Sequence, residues 1–224
     1  MYFKLKLSSD PKIIGVRNGI YQVELMEKVF TKEYLKKLDS YFHTGSSWTL
    51  KDALPDFSVY FQFKKLKLTK ETNFMSFCPH FNNCLFLIDD RSLKLLESFN
   101  IQSHQLYPSI ISDPINSEEI HSYKMFFALM QDYDIVDFSK SVFYTGGYGN
   151  VALTDHQFSN GEEMRNFRPF PQIKVLALNN EFDSKLDLFY SRIGGIFISA
   201  KLRSALEENG ITGLEFDNSV EVIF

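Results

Sequence analysis

Gly195-Ile196-Phe197-Ile198-Ser199-Ala200-Lys201-Leu202-Arg203-Ser204-Ala205-Leu206-Glu207-Glu208-Asn209-Gly210-Ile211-Thr212-Gly213-Leu214-Glu215-Phe216 reads as a short apolar strand, a helix and a second strand. Ser199 suits an N-cap, because its hydroxyl can accept from an orphan backbone N–H of the first turn. Leu202, Ala205 and Leu206 fall at helical spacing and make one apolar stripe. Gly210 can adopt the left-handed conformation that closes a helix.

The pattern occurs twice. Phe86-Leu87-Ile88-Asp89-Asp90-Arg91-Ser92-Leu93-Lys94-Leu95-Leu96-Glu97-Ser98-Phe99-Asn100-Ile101 aligns with it without a gap at an offset of 110. Leu96 falls on Leu206, Glu97 on Glu207 and Ile101 on Ile211. The cap position is Asp89 in one copy and Ser199 in the other. The stop position is Asn100 or Gly210, the residues that best tolerate the left-handed region. We read this as an internal repeat around 86–106 and 196–216. The fold expected is α+β: mixed sheets with few helices, and two similar strand–helix–strand lobes in one body spanning residues 1–224.

The chain of 224 residues is long enough to bury a core, and its 23 Phe and 11 Tyr point to one built on large rings. Its net charge of −4 disfavours a general nucleic-acid binder. The imbalance is local: residues 179–224 hold eight acids against four bases, and the remainder is balanced. Two cysteines make no disulfide framework in a chain this long. The opening residues lack the apolar core of a signal peptide, and no apolar run is long enough to span a membrane. The expectation is a cytoplasmic protein with no membrane partner.

Along the chain, residues 2–7 read as a strand with Lys4 and Lys6 on one face. Ile13 to Leu25 reads as a hairpin turning at Asn18-Gly19. Thr31 caps a helix bearing Tyr34, Leu35, Leu38, Tyr41 and Phe42, ended by His43-Thr44-Gly45. The segment 46–55, with the single Trp48, reads as a loop. Ser58 to Leu68 is a strand, and the first repeat runs from Leu85 to Tyr107-Pro108. Asp113 to Ser117 is a turn-rich connection. Tyr123 to Met130 fits helix or strand by pattern alone. Tyr144 to Gly161 reads as a long polar loop, and Ile173–Leu178 and Leu188–Ile198 supply further strands.

Few residues carry a chemical signature. Cys78, His80 and Cys84 fall short of the four ligands of a structural zinc site and read as ordinary residues beside a core strand. Gly146-Gly147-Tyr148-Gly149 lacks the lysine and the strand–helix setting of a phosphate cradle, and reads as a loop tip. Asp155-His156 is half of an acid–base pair with no accompanying nucleophile motif. Lys64, Lys65, Lys67, Lys4 and Lys6 read as guards on exposed strand edges rather than phosphate contacts. The acidic end has two readings, a solvated face and a surface for a basic partner.

Three segments together resemble a family of bacterial immunity proteins from polymorphic toxin systems, the group known as immunity protein eleven, with forty-three a close relative. Ile198 to Phe216 is similar to that family's closing pattern, an apolar strand, serine-x-x-leucine, a helix, then glycine-leucine-threonine-glycine-apolar-x-phenylalanine. Leu87 to Leu96 with Leu106-Tyr107-Pro108 resembles its middle element. Tyr123 to Phe138, followed by Ser139-Lys140-Ser141, resembles a stretch with an acid and a nearby serine, here Asp137 and Ser141. The chain departs from the pattern at Asp89-Asp90, where a serine start is usual, and residues 1–58 lie outside the likeness. The resemblance implies a non-enzymatic protein that binds and neutralises a cognate toxin, with no catalytic residue, cofactor, metal or nucleic acid. The partner-binding residues expected from the charge pattern are Glu207, Glu208, Glu215 and Asp217. The alternative is a small enzyme with its site near Asp155 and His156.

Overall fold

The computed structural model describes residues 1–17, 21–42, 55, 57–147 and 152–224. In chain order the elements are β1 (Tyr2–Leu7), α1 (Pro11–Ile14), β2 (Val23–Leu25), α2 (Lys32–Phe42), β3 (Phe61–Lys65), β4 (Phe74–Met75), β5 (Phe77–Cys78) and β6 (Cys84–Asp89). There follow α3 (Asp90–Leu96), β7 (His104–Asp113), β8 (Glu118–Ala128), β9 (Val142–Thr145), β10 (Thr154–His156) and α4 (Gly161–Asn166). The chain closes with β11 (Gln172–Ala177), β12 (Leu188–Ser191), β13 (Gly195–Ser199), α5 (Ala200–Glu208), β14 (Leu214–Asp217) and β15 (Glu221–Ile223). The class is α+β, dominated by sheet.

The strands form a seven-stranded sheet, β4-β6-β8-β7-β3-β2-β5, and two four-stranded sheets, β12-β13-β1-β14 and β10-β9-β11-β15. The two strand–helix–strand units run in step. β6 ends at Asp89 and β13 at Ser199, and each of these residues caps the helix that follows: Asp89 accepts from Ser92 N, Ser199 from Leu202 N. The next strands start at His104 and Leu214, again 110 apart. In each unit the two parallel strands are held apart by one antiparallel strand, β8 in the first and β1 in the second. The register agrees as well. Phe126 lies opposite Phe86 and Leu106, and Leu5 lies opposite Ile196 and Phe216.

The likeness reaches beyond the two units. β7 covers 104–113, and β14 with β15 covers the matching 214–223, interrupted at Asn218–Val220. The far half of β7 pairs in parallel with β3, and β15 pairs in parallel with β11. Two lobes result. One comprises the described residues within 21–128; the other comprises those within 131–223 and takes its central strand β1 from the opposite end of the chain.

The helix stop is where the units differ. Gly210 has φ +62° directly after the α5 cap residue Asn209. α3 already ends at Leu96 with Glu97 as cap, so Asn100 is not a helix stop and is not left-handed. The shared spacing did not fix helix length, because the carbonyls of α3 are closed by tight Ser98→Leu95 and Phe99→Leu96 hydrogen bonds.

Each lobe has its own core. Leu87 and Tyr123 sit in the first, Phe197 and Tyr2 at the matching places in the second. The alternate residues on the same strands face a third cluster shared by both lobes, which holds Ile88 with Ile198, Leu96 with Leu206, and Phe126 with Leu5. Contacts across the shared core start from matching positions of the two units, though the groups they meet differ. Arg91 donates to the Asn209 carbonyl at 2.6 Å, and the matching Lys201 lies 5.0 Å over the Phe99 ring. Asn73 takes the Thr212 N–H at 2.9 Å, and Asp187 takes the Asn100 N–H at 3.1 Å. Within each lobe the tyrosine opposite the cap residue closes a bond to a carbonyl: Tyr123 to Thr72 at 2.8 Å, Tyr2 to Leu186 at 2.6 Å.

Other sequence expectations divide. α2 forms as read, with Thr31 Oγ1 accepting from Tyr34 N; its reading as ended by His43-Thr44-Gly45, the Asn18-Gly19 turn and the Trp48 loop lie outside the described residues. Ile13 to Leu25 is not a hairpin. Asp10 caps α1, Pro11 occupies its first turn, and β2 pairs with β3 and β5 instead. Of Tyr123 to Met130, the part up to Ala128 belongs to strand β8, and Leu129 and Met130 follow its end. The first repeat continues past Pro108, which lies exposed before β3 joins β7 at Ser109, so no ladder N–H is missed on that side. Tyr144 to Gly161 includes the end of β9 and the polar edge strand β10.

Candidate functional site

The acidic end is built on α5 and β14. Leu202 and Leu206 turn the apolar stripe of α5 into the shared core. The opposite face carries Arg203, Glu207 and Glu208. Arg203 Nε donates to Glu207 Oε1 at 2.9 Å, one turn away, while its guanidinium lies 4.4 Å over Phe3. Glu208 is exposed and makes no hydrogen bond or ion pair among the described residues. Both glutamates stand at the helix C-terminus, where the macrodipole already presents negative charge, so their field adds to it.

Glu215 and Asp217 are two residues apart on β14 and share one face. Both are engaged inside the lobe. Glu215 Oε1 accepts from Ser8 Oγ at 2.8 Å and from Ser9 N at 3.1 Å, which anchors the exit of β1. Asp217 forms an ion pair with Lys6 and accepts from Ser219 N at 2.7 Å. The Lys6 ammonium holds the Asp217 carboxyl down to about 2. The structure therefore does not join the four acids into one open patch. Glu207 and Glu208 face solvent, and Glu215 and Asp217 hold β1 in its slot.

Asp155 and His156 are successive residues of the edge strand β10, so their side chains point to opposite faces. Asp155 pairs with Lys174 at 2.9 Å. His156 Nε2 meets Thr145 Oγ1 at 2.8 Å on the neighbouring strand, with its ring 4.6 Å from that of Phe167. They form no acid–base pair with each other.

Cys84 is buried in the first lobe, and burial pushes its thiol pKa up. Among the described residues no cluster of His, Cys, Asp and Glu suits a metal ion. Gly146 and Gly147 are both left-handed; Tyr148 and Gly149 lie outside the described residues.

The lysine strands are corrected. β1 and β3 each have a neighbour on both sides, so Lys4, Lys6, Lys64 and Lys65 guard no edge, and Lys67 lies past the end of β3. Lys65 is buried between Asp113 at 2.7 Å and Glu71 at 2.8 Å. Asp113 also caps the β7–β8 turn through Ile115 N and Asn116 N, and the Lys65 ammonium with these bonds draws its carboxyl down to about 2. Sequence reasoning missed this ion pair, since its members are 48 positions apart. Among the described residues, no helix is long and apolar enough to cross a membrane. No protein-family model matches the chain, and no curated protein matches it.

Proposed function

We propose that this protein is a bacterial immunity protein that binds and neutralises a cognate polymorphic toxin in the cytoplasm, protecting the producing cell or its kin without catalysis of its own. The reading rests on the likeness of Ile198–Phe216 to the closing element of that family. The observation that supports it is the form this element takes: a surface helix anchored by Leu202 and Leu206, presenting Glu207 and Glu208 outward at a negative helix end. Such a face suits a basic partner surface and raises the association rate by steering.

The direct test is co-expression with the toxin encoded beside this gene, scored by survival and by co-purification. Survival equal to that without this chain removes the reading. A kinetic test addresses the face itself. Glu207→Gln with Glu208→Gln should slow association about threefold at low salt, and the difference should fade as salt rises. An unchanged low-salt on-rate leaves these acids as a solvated helix end.

A further inference from the structure

The two lobes differ at two matched positions of their central strands. Register places Met125 and Phe127 of β8 where Lys4 and Lys6 of β1 stand. Met125 and Phe127 are buried core residues at 0% and 6% exposure. Their counterparts open into a cleft of about 350 Å3 between the sheet holding β1 and the sheet holding β9 and β11. Phe143, Met164 and Ile173 form its apolar floor. Lys4, Lys6 and Arg192 are its charged walls, with no acidic residue among those lining it. Phe170 stands exposed at its mouth.

Two of the three cations carry their own counter-charge, Lys6 on Asp217 and Arg192 on Asp132 at 3.3 Å. Lys4 does not. It is half-buried, its stem passes over Gly195, and among the described residues it makes no hydrogen bond or ion pair. Burial and the neighbouring Lys6 lower its pKa, and Asp217, engaged by Lys6, opposes them only in part. A methionine fills the same register position in the first lobe, so the backbone does not require a cation there.

We propose that this cleft binds a small organic phosphate monoester, its head on Lys4, Lys6 and Arg192 and its apolar body on the floor of Phe143 and Ile173. A cleft of this size with an apolar floor and charged side chains on its walls suits a small molecule that has one anionic end. A phosphate offers three oxygens to the three cations that line the cleft, where a carboxylate offers two. This site is independent of the α5 face and of the toxin-binding reading.

Calorimetry at low salt with phenyl phosphate tests the proposal, beside inorganic phosphate, phenol and benzoate. Phenyl phosphate should bind with a submillimolar Kd and more tightly than the other three. Lys4→Met, the residue of the first lobe, should weaken it about tenfold or more and leave the melting temperature unchanged or higher. In the unmodified protein, NMR shifts should concentrate at Lys4, Phe143 and Ile173, which locates the site without any variant. Absence of binding at about 10 mM phenyl phosphate overturns the proposal. So do equal affinity for benzoate, equal affinity in a folded Lys4→Met protein, or shifts elsewhere on the surface.

Discussion

Leu96 and Leu206 offer a quantitative test of whether the two lobes stand or fall together. Both are almost fully buried, at 0% and 1% exposure, and both enter the shared core from matching helix positions. Truncation to alanine removes buried methyl and methylene groups and leaves a cavity that packed neighbours fill only in part. The loss for such a change is about 2–5 kcal/mol, and the complete burial here argues for about 3. For a chain of this length that corresponds to a fall in melting temperature of about 6–12 °C. The shared core belongs to neither lobe alone, so each substitution should lower one common transition by a similar amount. Urea unfolding followed by far-UV and near-UV circular dichroism is the assay, since two probes must coincide if unfolding is cooperative. A biphasic curve in which Leu206→Ala moves one phase and Leu96→Ala the other would refute the reasoning. A loss below about 1 kcal/mol for either would refute it too.

Gly213→Ala should cost about 3 kcal/mol or more, because φ is +90° and the added Cβ overlaps the Phe74 carbonyl oxygen of the opposite lobe; thermal melts of the purified variant check it. Asp113 and Asp217 have folded pKa values near 2, below the unfolded value of about 3.9. Their stabilisation is complete above the unfolded value and lost as pH falls through the window from about 4 to 2. Asp217→Asn should therefore lower stability at pH 7 and flatten the acid limb of a stability–pH curve. A permuted chain that starts at Tyr21 and joins Phe224 to Met1 through a short flexible linker should fold. The rings of Tyr2 and Phe224 are only 6.0 Å apart, and β1 would then follow β15 as β8 follows β7. A permuted protein without the native circular dichroism spectrum would count against the matched-lobe description.

What could be read from the sequence was local. Ser199, Asp89 and Thr31 announce helix starts through short polar side chains at fixed distance from an apolar stripe, and all three caps form. Tyr123–Met130 gave no such signal, because a strand buried on both faces has no alternation, and Met125, Phe126 and Ala128 are all fully buried. Pairing across the chain was not legible. Nothing near Lys4 indicates that its neighbours are Phe197 and Asp217, so a central strand was read as an edge. The acids were found by charge arithmetic, which is blind to partners. Lys6 and Ser8 engage Asp217 and Glu215 and leave Glu207 and Glu208 as the outward pair. The cleft was hidden for the same reason, since it exists only where the sheet holding β1 meets the sheet holding β9 and β11.

The placement of β1 also fixes an order of events at the ribosome. Among the described residues every strand of the first lobe lies between 21 and 128, so these ladders can all form once Ala128 has emerged. β1 is synthesised before any of them, yet its partners are β13 and β14, and its Lys6–Asp217 ion pair spans 211 positions. A strand made before all the others is thus among the last to find its place. Its residues must remain unpaired, alternating apolar and basic, through the synthesis of nearly two hundred others. A closure of such long sequence separation is slow and leaves surface exposed meanwhile. Lys4 and Lys6 put two positive charges on the strand that waits for β13 and β14.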